Sequence, residues 1–311
     1  MAYNKIFVVG SGSSLMSQLL KKRLRRLRLV LMLSVSCFLG VNDLAFAQLP
    51  LPEEIIFINK ISFLGNVQLE TTIFKLPGEG PFPLVIVNHG KNLGDPHLQE
   101  RLRPLSIARY FLEKGYIVFV PMRHGFDKSG GEYQFHGNSA ELSSRDQAHD
   151  IDVIIEFAHT LTYVQKNMTI VVGHSEGGWV TLAYGAAKPD PSVKGLVNFS
   201  GGVRDHCCIG LLEELINVSK KFGVETAVPT IWFYGDNDKL FNRYISDRMF
   251  ANYVKGNPNS RFIPFGNFGA DAHLLFMDPE GRPIWDPFLT QFLYDVQAPY
   301  KIIRPEYKLT P

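Results

Sequence analysis

The stretch Val171-Val172-Gly173-His174-Ser175-Glu176-Gly177-Gly178 decides the reading of this chain. An apolar run from Met168 to Val172 leads into it, and a helical stretch, Gly178 to Ala187, leads out. Strand, sharp Gly-x-Ser-x-Gly turn and helix are the context of a nucleophile elbow, in which strained backbone pushes a serine Oγ out above a sheet. Glycines two before and two after Ser175 remove side chains that would clash in so tight a turn. The five-residue pattern alone arises by chance, and an ordinary glycine-rich strand-to-helix turn is the competing reading. The flanking strand and helix favour catalysis.

Outward from the elbow, strand and helix patterns alternate. Ile55 to Phe63 and Val67 to Phe74 alternate as strands and predict an antiparallel start to the sheet. Leu84 to Val87 and Tyr116 to Val120 are continuous apolar runs, as expected of strands buried on both faces. Helical spacing runs from Leu98 to Lys114 and from about Ser139 to Leu161. Beyond the elbow, strands are expected at Val193 to Phe199, Thr230 to Tyr234 and Arg261 to Phe265. Helices are expected at Leu211 to Phe222, Tyr244 to Val254 and Trp285 to Val296. This order predicts an α/β fold: a doubly wound, mostly parallel sheet with helices on both faces. The tail from Ala298 to Pro311, with three prolines, is expected to wrap the surface or stay loose.

The chain of 311 residues is 45% hydrophobic and 20% charged, ordinary values for a globular protein that needs no staple. Residues 1–47 are different material. Lys21, Lys22, Arg23, Arg25, Arg26 and Arg28 form a basic block, Leu29 to Val41 is almost wholly apolar, and Ala45-Phe46-Ala47 follows. That is the order of a secretory signal peptide, with cleavage expected between Ala47 and Gln48 and a secreted or periplasmic product. The apolar run of 13 residues is short of the roughly 20 a bilayer span needs, so no stable membrane insertion is expected after cleavage. A retained anchor and a soluble amphipathic helix are the competing readings. A lipoprotein signal ending at Cys37 is a poor fit, because Ser34 stands three before the cysteine where leucine is usual.

Residues 48–311 then form one domain. The signal carries seven Lys/Arg and one Asp, so its loss turns a net charge of +2 into −4. Nothing remaining reads as a nucleic-acid surface. Cys207 and Cys208 are adjacent, which disfavours an unstrained bridge between them; they read as two thiols beside the site, with a vicinal or intermolecular bridge as the alternative. No metal-ligand spacing occurs, and no cofactor is implied.

A serine hydroxyl needs a base to take its proton, and the base needs a carboxylate to fix its tautomer. In doubly wound sheets such groups lie at the carboxyl ends of strands. The strand ending at Tyr234 runs into Gly235-Asp236-Asn237-Asp238; Asp238 is the expected orienting acid and Asp236 the fallback. His273 lies in the loop after the last strand, in the order Ser, Asp, His, and is the expected base. Two N–H groups should face the developing oxyanion. One is that of Glu176, at the start of a helix; the other is that of Lys91, after Asn88-His89-Gly90. His89 is expected to brace this loop. Lys91 reads as a solvated surface lysine, with contact to an anionic substrate as the alternative.

These pieces, with the loop Arg123-His124-Gly125-Phe126-Asp127-Lys128-Ser129-Gly130-Gly131, give the chain its resemblance to a known superfamily. It resembles the α/β-hydrolases, and among them the dienelactone hydrolase and prolyl-oligopeptidase-like serine esterases. The matching segments span Leu84 to Val296. The resemblance implies a serine hydrolase cleaving a small-molecule carboxylic ester through an acyl-enzyme, with Arg123 anchoring the fold. Serine in place of the cysteine of true dienelactone hydrolases argues against dienelactone itself. Only about 30 residues separate Phe199 from Pro229, which leaves room for a small cap and none for a large lid. That favours a small or soluble ester, or a polymer end. A small peptidase of the same fold and a non-catalytic binding protein are the alternatives; the latter has no need of Ser175, Asp238 and His273 together. N-terminal sequencing of the exported product should start at Gln48, and a cytoplasmic protein retaining Met1 refutes the signal.

Overall fold

The computed structural model describes Met1 and residues 50–62, 65–136, 139–204 and 210–308. The expected signal segment and the Cys207-Cys208 pair lie outside the described residues. Residues 49–311 form one compact unit.

Eight strands make one sheet: β1 (Glu53–Ser62), β2 (Gly65–Phe74), β3 (Phe82–Asn88), β4 (Ile117–Pro121), β5 (Val164–His174), β6 (Val193–Phe199), β7 (Thr230–Tyr234) and β8 (Ser260–Pro264). Their order is β1-β2-β4-β3-β5-β6-β7-β8. β1 pairs antiparallel with β2, and β2 antiparallel with β4; every later pairing is parallel. The antiparallel start and the parallel body match the sequence reading. The order reverses at β3, which sits between β4 and β5, with Asn88 beside Gly173 in the register. A crevice at the carboxyl ends of strands opens at such a switch point.

Among the described residues six helices cover the sheet: α1 (Leu105–Leu112), α2 (Ala140–Thr160), α3 (Glu176–Ala186), α4 (Leu211–Glu225), α5 (Arg243–Tyr253) and α6 (Arg282–Asp295). Period-2 alternation sorts the strand side chains between two cores. Leu84, Ile86, Val171, Leu196 and Trp232 pack with α2, α3, α4 and α5. Val85, Val87, Val172, Val197 and Phe233 pack with α1 and α6. Each large apolar side chain so buried contributes about 1.5–3 kcal/mol. Among the described residues no helix is long and apolar enough to cross a membrane.

The structure departs from the sequence reading at two helix starts. The helix expected from Leu98 to Lys114 starts only at Leu105, after a short 3-10 turn at Pro96–Leu98. Pro104 is the reason: it bars the preceding residue from helical backbone, so Arg103 ends the irregular segment. α3 starts at Glu176 rather than Gly178, because the elbow serine itself occupies the N-cap position. α4 is a core-packed crossover helix between β6 and β7, with Leu215 and Phe222 fully buried. Within the segment expected to form a small cap, residues 205–209 lie outside the described residues. The tail is tied down: Ile303 and Arg304 N–H donate to Glu113 O at 2.9 Å, and the Tyr116 hydroxyl donates to Pro299 O at 3.0 Å.

A buried ionic cluster joins β1, the Arg123 loop and α2. Lys60 Nζ donates to Asp150 Oδ1 at 2.6 Å, and the His124 ring lies 2.8 Å from Asp150 and 3.1 Å from Asp146. Burial alone would lower the His124 pKa, but hydrogen bonds to Asp146 and Asp150 outweigh it and raise it to about 9. His124 and Lys60 hold the Asp150 carboxyl down to about 2, against the upward pull of its burial. Since the folded imidazole binds its proton more tightly than the unfolded chain does, this stabilisation is complete below about 6.5. It is lost as pH rises through about 9. The contribution is on the order of 3 kcal/mol. The melting temperature should therefore fall between pH 6.5 and 9.5, and His124→Gln should flatten that part of the profile; an equal fall in the variant refutes the assignment.

Candidate active site

β5 delivers its chain straight into α3, and Ser175 turns between them with φ 56° and ψ −127°. A non-glycine residue holds such a conformation only when its surroundings enforce it. Here they do. Ser175 N–H donates to Phe199 O at 2.9 Å, and Ser175 O accepts from Trp179 N–H and Gly202 N–H, each at 3.2 Å. A side chain at Gly173 would overlap Gly177 O and Thr181 Oγ1, and one at Gly177 would overlap Asn88 O and His89 O. Both positions therefore require glycine.

The structure brings Ser175, His273 and Asp238 together from three loops at the carboxyl edge. His273 Nε2 lies 3.0 Å from Ser175 Oγ, and His273 Nδ1 lies 3.1 Å from Asp238 Oδ2. All three are buried, with Ser175 8%, His273 7% and Asp238 2% exposed, so these contacts are little screened by water. The second Asp238 oxygen accepts N–H bonds from Leu240 and Phe241, both at 2.8 Å. Burial pushes the Asp238 carboxyl up, but His273 and those two N–H groups outweigh it and hold the pKa below its ordinary value. Asp238 is thus a carboxylate facing Nδ1 of His273, whose Nε2 faces the hydroxyl. Asp236, the fallback, points elsewhere: it is exposed and paired with Arg243 at 2.9 Å.

The loop after β3 borders the serine, since a Cβ on Gly90 would fall 2.9 Å from Ser175 Cβ. His89 braces it. Its Nε2 accepts from Arg123 N–H at 2.9 Å, which leaves the proton on Nδ1, 2.7 Å from Gly90 O. Burial, then the Arg123 charge, hold the His89 pKa well below its ordinary value, so the ring stays neutral. Gln99 grips both sides of Lys91, donating to Gly90 O at 2.9 Å and accepting from Asn92 N–H at 2.7 Å. Lys91 Nζ lies over the Tyr133 ring at 5.3 Å. Glu176 supplies the first N–H of α3, one of the donors a helix start leaves without an intrahelical acceptor. Its carboxylate accepts from Gln147 at 3.1 Å and Tyr133 at 3.3 Å.

Arg123 connects these parts. Fully buried, it donates to His89 O and Gln147 and lies 3.6 Å from the Glu176 carboxylate. Further residues that the sequence reading passed over hold the His273 loop. Asp271 Oδ1 accepts from His273 N–H at 3.0 Å and Lys239 N–H at 3.1 Å. Asn237 accepts from Phe268 N–H at 3.0 Å and donates to Gly269 O at 3.1 Å. His174 Nε2 reaches His273 O at 2.9 Å. Among the described residues no group of three His, Cys, Asp or Glu is arranged to hold a metal ion.

No family model matches the chain, and no curated protein matches it. Solved structures do. An esterase of Pyrococcus furiosus superposes with a TM-score of 0.58 at 15% identity, over 83% of this chain and 96% of its own. A Klebsiella pneumoniae protein described as a dienelactone hydrolase gives 0.54 at 17%, over 77% of this chain and 98% of its own. The ferulic-acid-bound Est1E of Butyrivibrio proteoclasticus gives 0.54 at 16%, over 76% and 99%. The chain has the α/β-hydrolase fold.

Replacing Arg123 leaves a buried carboxylate without its cation. Arg123→Met should cost about 3–5 kcal/mol, read from the urea midpoint. Adding Glu176→Gln should recover part of it, and a double variant no more stable than the single one refutes the brace.

Proposed function

We propose that this chain is an exported serine hydrolase that cleaves a carboxylic ester through an acyl-enzyme. The observation that carries the reading is the Ser175–His273–Asp238 relay at 3.0 and 3.1 Å, set on an elbow whose serine is held at φ 56°. Esterases among the structural neighbours support it, and export rests on the signal-like order of residues 1–47.

Ser175 Oγ attacks the ester carbonyl carbon as its proton passes to His273 Nε2. The Asp238 carboxylate accepts the Nδ1–H bond and stabilises the imidazolium so formed. The former carbonyl oxygen takes negative charge and is met by the N–H groups of Lys91 and Glu176, each such donor being worth about 3–4 kcal/mol in the transition state. The tetrahedral intermediate collapses, and the C–O bond to the alcohol breaks as Nε2–H protonates the departing oxygen. A water then repeats the sequence on the acyl-serine, releasing the acid and restoring the hydroxyl.

A fluorophosphonate probe should label Ser175, and Ser175→Ala should abolish both labelling and turnover of short p-nitrophenyl esters with the fold intact. Asp238→Asn should lower kcat by ~10⁴, while Asp236→Asn, which loses only an exposed ion pair, stays near wild type. Labelling elsewhere, or the two aspartates reversed, overturns the assignment; turnover of aminoacyl amides in preference to esters would make it a peptidase.

A further inference from the structure

His174 takes no part in the relay above, yet it stands next to the nucleophile on the last position of β5. Its Nε2 lies 2.9 Å from the main-chain oxygen of His273. A carbonyl only accepts, so Nε2 carries the proton and Nδ1 is bare. The ring stacks on Phe276, centroids 5.0 Å apart and planes 9° from parallel, which fixes the direction of that N–H. We propose, on the reading of Ser175 and His273 given above, that His174 is a positioning residue that sets the base against the nucleophile by tying the His273 backbone to the strand carrying Ser175.

Other tethers of this loop run to the loop after β7: Asp271 bonds Lys239 N–H, and Asn237 bonds the 268–269 backbone. They place His273 relative to Asp238. His174 places it relative to Ser175, which is the contact the proton must cross. A histidine this close must also stay uncharged, for its ring centre is 5.0 Å from that of His273. A second positive charge there would oppose the imidazolium that forms as Ser175 attacks. Burial first, then the neighbouring His273, hold the His174 pKa down to about 3, against the pull of Asp238.

Two substitutions separate positioning from packing. His174→Phe keeps a ring against Phe276 and loses the donor. His174→Gln sets an amide N–H near the position of Nε2. The expected result is a kcat lowered about 10–100-fold in the Phe variant, the scale of a small misplacement of reacting groups. KM should hold within about threefold, Ser175 labelling should slow by the same factor as kcat, and Gln should restore most of the loss. Imidazole ¹⁵N–¹H spectra of the wild-type protein should show His174 neutral and protonated on Nε2 at pH 5, and the His273 signals should move in His174→Phe. Wild-type kcat and labelling in the Phe variant overturn the proposal. So does equal impairment of Phe and Gln with equal loss of stability, which is packing alone, and so does a charged or Nδ1-protonated His174. If the wild-type protein takes no probe, the hydrolase reading fails by itself, and the spectra still decide whether His174 holds the loop.

Discussion

The turn from β5 into α3 leaves Ser175 no other conformation, and the rest of the carboxyl edge is arranged around that fact. The serine is held at positive φ because its N–H is bound to β6 and its carbonyl to the helix behind it. That geometry needs Gly177 to lie against the end of β3, where Asn88 and His89 carbonyls leave no space for a side chain. The same approach brings Gly90 to the serine. One crowded crossing of β3, β5 and α3 thus sets Ser175 and the neighbouring loop in a single step. It falls where the strand order reverses, the one place where loops on adjacent strands splay apart.

Charge is handled differently on the two sides of this crossing. Beneath the Lys91 loop, Arg123 and Glu176 face each other out of water, with Gln147 and Tyr133 completing the carboxylate's bonds. Such a pair is justified less by net stability than by the cost of losing either partner. Around His273 the supports are instead neutral N–H and carbonyl groups, apart from Asp238 and Asp271. Under the proposed mechanism, a neutral surround suits a ring that gains and loses a proton, because it adds no fixed positive field against the charged form.

Much of this was legible beforehand. The elbow, the alternation of strands and helices and the order Ser175, Asp238, His273 are local signals that survive without knowledge of what packs where. β6 and β7 fall on the expected residues, since continuous apolar runs bounded by turns admit few readings. Pro104 was present in the sequence and overrode a helical periodicity that ran across it. The tethers were not legible. Gln99, Asn237, Asp271 and His174 act on backbone atoms, and a backbone atom has no identity in a sequence. His174 and the carbonyl it reaches are 99 positions apart. A polar residue in a loop announces nothing until the fold supplies its partner.

The order of the parts along the chain has a temporal meaning. Ser175 precedes His273 by 98 positions, and β7, α5 and β8 all lie between. During synthesis Ser175 and the residues that restrain it, up to Gly202, leave the ribosome before His273 does. The last helix shares a core with Leu275 and Phe276, just past His273, and the tail after it is pinned to Glu113 and Tyr116. A chain interrupted between residues 202 and 273 would contain Ser175 and the residues that hold its turn but not the imidazole that faces its hydroxyl.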